Sequence, residues 1–127
     1  MLKKLTSVFK KEESLPIKDI AKKLIDQGDA ALAKGSYDDA IAAYGKAIVV
    51  NGTIEEAHLK MGLAYFKRDF IDKAIECFEK AIYLNSEYAD AYFHLGNAFY
   101  KKKNLERALR YYQKAANLGH SEAKLKV

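Results

Sequence analysis

Residues 78–82 read FEKAI. The pattern stands 34 residues upstream as YGKAI, at 44–48, and 34 residues downstream as YQKAA, at 112–116. Gly28, Gly62 and Gly96 keep the same step, as do Ala30, Ala64 and Ala98. So do Ala40, Ala74 and Ala108, then Ala47, Ala81 and Ala115, then Lys46, Lys80 and Lys114. Self-similarity at a fixed period of this size marks a structure that itself repeats. Three units follow: 21–54, 55–88 and 89–122. Counted from the start of each unit, the glycines stand at position 8 and the aromatics Tyr44, Phe78 and Tyr112 at position 24.

Each unit carries two helical patterns. In the second unit His58, Met61, Gly62 and Tyr65 share one face, and after a break near Arg68, Asp69 and Phe70 a second face holds Ala74, Phe78 and Ala81. Spacings of i, i+3, i+4 and i+7 make an amphipathic helix. Glycine at position 8 and alanine at positions 20 and 27 let the two helices approach closely, and the aromatic at position 24 fills the space beside them. Phe78 and Ala81 are thus expected inside, Ile82 at the contact with the next unit, and Glu79 and Lys80 in water. A helix pair of this kind cannot bury its apolar face alone, so the units stack. The spacing predicts helices near 17–34, 37–50, 54–68, 71–84, 88–102 and 105–118, with Ser36 and Asn104 as N-caps. A short closing helix is expected from Ser121 to Val127. It is a stub, and part of the last unit's apolar side is expected to stay exposed and to favour self-association.

These residues resemble the tetratricopeptide repeat family. Its pattern is W-x2-L-G-x2-Y, then A-x3-F-x2-A, then P. The third unit supplies Tyr92, Leu95, Gly96 and Phe99, then Ala108, Tyr112 and Ala115. The second supplies His58, Met61, Gly62 and Tyr65, then Ala74, Phe78 and Ala81. The first is looser, with Leu24, Gln27, Gly28 and Ala31, then Ala40, Tyr44 and Ala47. The closing proline is missing throughout, with Gly52, Ser86 and His120 in its place. The stretch AANLGHSEA, 115–123, also resembles the related Sel1-type repeat, but the 34-residue period favours the first reading. The resemblance implies an all-α, right-handed solenoid of three helix-turn-helix pairs. The expected organisation is a tail at 1–16, basic and amphipathic or disordered, and a repeat domain at 17–127.

The chain has 127 residues, half of them hydrophobic, enough for one domain with a core. The one proline, Pro16, precedes the repeats. The single cysteine, Cys77, excludes an internal disulfide and a multi-cysteine metal site. No apolar run approaches the length of a transmembrane helix, and MLKKLTSVFKK lacks the apolar core of a secretory signal. The expected location is the cytoplasm. The formal charge is +5, of which the lysines at 3, 4, 10 and 11 supply most. Leu2, Leu5, Val8 and Phe9 of that tail share a helical face, so residues 1–11 are candidates for a membrane surface or for docking on a protein.

Nothing points to catalysis. His58, His94 and His120 are far apart in sequence, and His58 stands where the family packs an aromatic. No serine or cysteine lies in a nucleophile motif, and the glycines sit inside helices rather than in a phosphate-binding loop. No cofactor or metal is expected. Nucleic acid is not an expected partner either, because the basic run Lys101–Lys103 suits a solvated helix end and the groove has no continuous basic lining.

The resemblance places positions 5, 9 and 12 of each first helix on a concave surface. Here they are Ile25, Asp29 and Leu32; Leu59, Leu63 and Phe66; and Phe93, Asn97 and Tyr100. Spacings of i, i+4 and i+7 put each trio on one stripe, and seven of the nine residues are apolar or aromatic. The expected function is protein binding, as a scaffold or adaptor that holds an apolar or amphipathic partner segment. The expected contacts are Ile25, Leu32, Leu59, Leu63, Phe66, Phe93 and Tyr100, with polar fixing by Lys60, His94 and Asn97. The alternative is a self-associating assembly protein. The unit number also resembles that of bacterial secretion chaperones. Some family members clamp the C-terminal carboxylate of heat-shock chaperones with Lys, Asn and Arg. The residues at those positions here are Ile25, Asp29, Lys60, Asp90 and His94; none matches, and two acids among them oppose such a clamp.

Overall fold

A computed structural model describes residues 16–127. Over them the chain forms α1 (Ile17–Ala33), α2 (Tyr37–Val50), α3 (Glu55–Lys67), α4 (Ile71–Leu84), α5 (Ala89–Lys101), α6 (Leu105–Asn117) and α7 (Ser121–Lys126). Every helix expected from the spacing forms, within one residue at each end. The basic amphipathic tail, and the membrane contact expected of residues 1–11, fall on residues 1–15, outside the described ones.

Helices pair as α1 with α2, α3 with α4 and α5 with α6, and each second helix then packs on the next first helix. First helices also touch in series, α1 with α3 and α3 with α5. They therefore form the inner, concave layer. The interiors of the pairs are built as the small residues predict. Tyr44, Phe78, Ala40, Ala74, Ala47, Ala81 and Ala115 are fully buried. A Cβ added at Gly62 would lie 2.6 Å from Phe78 Cε1, one at Gly96 would lie 2.7 Å from Tyr112 Cδ1, and one at Gly28 would strike the Tyr44 ring. Position 8 is thus glycine because the ring of position 24 lies on its Cα.

The turn inside each unit also repeats. Position 15 is left-handed in all three, with φ of 77° at Gly35, 65° at Asp69 and 64° at Lys103. The following N–H then reaches back to the first helix: Ser36 to the Ala31 carbonyl, Phe70 to Tyr65 and Asn104 to Phe99, each at 2.9 Å. These bonds satisfy carbonyls orphaned at the helix end. A Cβ in this conformation costs about 1 kcal/mol. Lys103→Gly is therefore expected to raise stability by about 0.5–1 kcal/mol, read by urea unfolding at unchanged m-value. Asn104 caps α6 as expected, its side chain accepting from Arg107 N at 3.2 Å. Ser36 does not do so. It holds the cap position of α2 with no side-chain bond.

The turns between units show what stands in for the absent proline. Asn51 Oδ1 accepts from Thr53 N, and Asn85 Oδ1 from Glu87 N, both at 3.1 Å. Position 4 then ties each turn to the next first helix: His58 Nε2 donates to the Gly52 carbonyl and the Tyr92 hydroxyl to the Ser86 carbonyl, each at 3.0 Å. His58 is thus a buried structural side chain, as its place in the pattern suggested.

Ion pairs also follow the period. Arg68 reaches Asp38 of the preceding unit at 2.9 Å, and Lys102 reaches Asp72. In both, the cation of position 14 meets the acid of position 18 one unit earlier. All four side chains are exposed, so each pair contributes little, of order 0.5 kcal/mol. The near-zero charge of the chain beyond its tail hides an asymmetry. Residues 100–127 carry eight Lys and Arg against two acids, and residues 12–99 carry ten against fifteen.

Candidate functional site

The concave layer has depth that a linear stripe does not show. Position 5 is its floor. Ile25, Leu59 and Phe93 are only 6–7% exposed, closed over by neighbouring first helices and the next turn. The expectation that these three present contact surface is corrected accordingly. Phe93 is covered by two imidazoles: the His120 ring stacks on it at 4.2 Å, and His94 meets it edge-on at 5.4 Å. The open surface is made by positions 9 and 12. Leu32, Leu63 and Phe66 are half-buried and Tyr100 is exposed. These are the apolar groups that the concave face leaves open.

Position 9 explains a covariation visible along the chain. Where it is polar, position 24 is tyrosine. The Tyr44 hydroxyl donates to Asp29 Oδ1 and the Tyr112 hydroxyl to Asn97 Oδ1, both at 2.6 Å. Where position 9 is Leu63, position 24 is Phe78, with no hydroxyl to satisfy. Asn97 is therefore committed to holding a core tyrosine, as well as lining the groove. Asn97→Leu is expected to cost about 1–2 kcal/mol by orphaning that hydroxyl. Asn97→Leu with Tyr112→Phe recreates the middle unit's pairing and returns stability to within about 0.5 kcal/mol of wild type. Thermal unfolding of the four proteins measures this.

Lys60 is engaged rather than free. Its Nζ lies 2.8 Å from both Asp29 Oδ2 and Glu56 Oε1. Burial alone would lower its pKa, but the hydrogen bonds to Asp29 and Glu56 outweigh this and raise it. Burial, together with the bond to Asp29, also raises the Tyr44 phenol. Lys18, Lys22, Asp26 and Glu56 surround this cluster and form, over Ile25 and Ile54, a charged cleft of about 440 Å³. The N-terminal half of the groove is thus polar and the C-terminal half apolar.

At that apolar half His94 stacks on Phe78, ring centroids 5.8 Å apart. Burial holds its pKa below the ordinary histidine value, against a smaller opposing pull from Asp90. His120, read in the sequence only as a replaced proline, does two structural jobs. Its Nδ1 accepts from Ala123 N at 3.2 Å and caps α7, while Nε2 lies 3.2 Å from Asp90 Oδ1. A histidine three residues before a buried alanine at a helix start was the available signal. Cys77 is buried in the α3–α4 pair, and that burial pushes its thiol up to about 12, so it is not a thiolate nucleophile. Among the described residues, no three His, Cys, Asp or Glu side chains gather as metal ligands would, and no helix is long and apolar enough to cross a membrane.

Residues 59–122 match a family model described as tetratricopeptide repeat, and residues 28–69 match a second described as TPR repeat. Among solved structures, the chain is similar to the first TPR of Spaghetti (RPAP3) bound to the HSP90 peptide SRMEEVD. The TM-score is 0.80 at 27% identity, covering 84% of this chain and 86% of that one. It is similar to MamA at TM-score 0.75 and 29% identity, covering 90% of this chain and 64% of that one. The N-terminal domain of stress-induced protein-1 (STI-1) from C. elegans shares the fold, at TM-score 0.80 and 24% identity over 89% of this chain and 95% of that one. No curated protein sequence matches at a significant level. Three helix pairs with glycine under an aromatic ring in each, and a family model spanning half the chain, lead to one conclusion: the chain belongs to the tetratricopeptide repeat family.

Proposed function

We propose that this protein is a protein-interaction module that holds one segment of a partner in its concave groove. The observation that carries the reading is the strip formed by Leu32, Leu63, Phe66 and Tyr100. It rises over the floor of Ile25, Leu59 and Phe93 and runs into the charged cleft around Asp29 and Lys60. A groove with an apolar half and a polar half suits an amphipathic segment. Its apolar side chains cover the strip, and its charged ones exchange partners with Lys22, Asp26, Glu56 and Lys60. Because the floor is already packed, binding orders few groups of the module itself. A similar structure is seen with a bound peptide, which supports a peptide segment as the kind of ligand.

The groove does not suit an acidic C-terminal tail. Asp29 and Asp90 stand where a carboxylate clamp needs donors, and Lys60 is neutralised by two acids. Like charges across an interface cost several kcal/mol. The peptide SRMEEVD is accordingly expected to bind with Kd weaker than about 1 mM in calorimetry. Capture of partners from lysate of the source cells tests the wider reading. Wild type is compared with Leu63→Gln, Phe66→Gln protein of equal helicity. A protein retained by wild type and lost from the variant supports the groove. Equal retention overturns it.

A further inference from the structure

We infer that His120 is a proton-operated latch, which holds α7 on the stack while its imidazole is neutral and releases it when the imidazole is charged. At the start of α7, His120 Nδ1 accepts from Ala123 N at 3.2 Å. Ala123 is fully buried, in one apolar cluster with Ala108, Tyr112 and Ala115 of α6. The bond therefore fixes the residue that seats α7. A ring nitrogen that accepts a hydrogen bond carries no proton. The neutral imidazole thus bears its proton on Nε2, which faces Asp90 Oδ1 at 3.2 Å. Charging the ring adds a proton at Nδ1, two N–H groups then point at each other, and the cap is lost. The cap of α6 is the Asn104 amide, and the residues equivalent to His120 in the first two units are Gly52 and Ser86. None of these changes charge with pH, so the device belongs to this seam.

The charged ring has a place to stay. Asp90 supplies a counter-charge at Nε2, and the Phe93 face, stacked at 4.2 Å, takes a cation as readily as a neutral ring. The protonated side chain therefore remains with α5 and gives up α7. His94 does not compete for the proton. It meets the rings of Phe78 and Phe93 at 5.8 and 5.4 Å, and burial holds its pKa below the ordinary histidine value. Of the other charged groups around the two imidazoles, Glu122 of α7 favours a proton on His94 and Lys67 of α3 opposes it. From α6, the Tyr112 hydroxyl is bonded to Asn97, and the Ala115 carbonyl accepts from His120 N at 3.0 Å. Docked α7 requires an unprotonated Nδ1, so the docked state binds fewer protons than the released one. Docking accordingly weakens as pH falls through the histidine range, from about 8 to about 5.

A pH titration of the full chain by NMR tests the latch. The Cα shifts of residues 121–126 report the helix, and the ring Cε1–H signals report each histidine, from about pH 7.5 to about pH 5.2. That window stays above the ordinary glutamate value of about 4.3. The helical shifts are expected to fall along the His120 ring titration. The ratio of docked to released α7 drops about fivefold, the effect of losing an ordinary N-cap. In His120→Asn protein the amide oxygen caps without titrating, and the shifts are expected to stay constant. In His94→Gln protein the transition is expected to persist. Constant shifts in the wild type overturn the proposal, as does a transition that follows the His94 ring or survives in His120→Asn protein. The wild-type curve alone can refute the latch, however well the asparagine variant seats α7. None of these readouts involves the strip of Leu32, Leu63, Phe66 and Tyr100, so the outcome is independent of the proposed groove.

Discussion

Gly62→Ala is expected to destabilise the protein by about 2 kcal/mol, although alanine is the better helix former. The added Cβ would lie 2.6 Å from Phe78 Cε1, 2.8 Å from Cδ1 and 3.0 Å from Cys77 Cβ. Phe78 is fully buried and held from the other side by His94, so the ring has nowhere to turn. Overpacking of this kind costs about 1–3 kcal/mol and sometimes more. The helix-propensity gain returns at most about 1 kcal/mol. The expected fall in Tm is about 8 °C for a domain of this size. Gly45→Ala is the control, because a Cβ there meets nothing within 4 Å; it is expected to be neutral or stabilising. Adding Phe78→Leu to Gly62→Ala is expected to recover part of the loss. A Gly62→Ala protein as stable as wild type would show that the close helix approach is not what position 8 provides.

The groove variant is expected to lose its partner by about a hundredfold. Leu63 and Phe66 each bring roughly 1.5 kcal/mol of apolar burial to a bound segment, and 3 kcal/mol is about two decades in Kd. Glutamine is used because it is a good helix former. Phe93 is left alone: it is floor, and a charge placed there would be buried without a partner and would unfold the stack. Once a partner segment is in hand, calorimetry with the wild type and the variant gives the ratio. A ratio near one with both proteins folded would move the site off the strip.

The period made the fold legible. Glycines, alanines and aromatics at a constant step determine which residues meet, so helix boundaries and packing faces followed with little error. Depth was not legible. Positions 5, 9 and 12 share one stripe by angle, but the neighbouring first helix and His120 cover Phe93 and not Tyr100, and angle alone does not report a neighbour. Hydrogen-bond partners were half legible. Asp29 with Tyr44, Leu63 with Phe78 and Asn97 with Tyr112 vary together across units, and comparing the copies with one another would have found the bond. Summing charge over the chain concealed the basic end, because the sum cancels what the stack separates in space.

The contacts between units have a bearing on how such a chain changes length over generations. Position 14 of one unit always faces position 18 of the unit before, and position 4 always ties the turn at position 32. A gene in which residues 55–88 were duplicated in place would encode a new seam that presents Arg68 to Asp72 and His58 to the Ser86 carbonyl. No other residue would need to change. Unequal crossing-over at these boundaries therefore yields a longer groove at once, with each inherited seam intact.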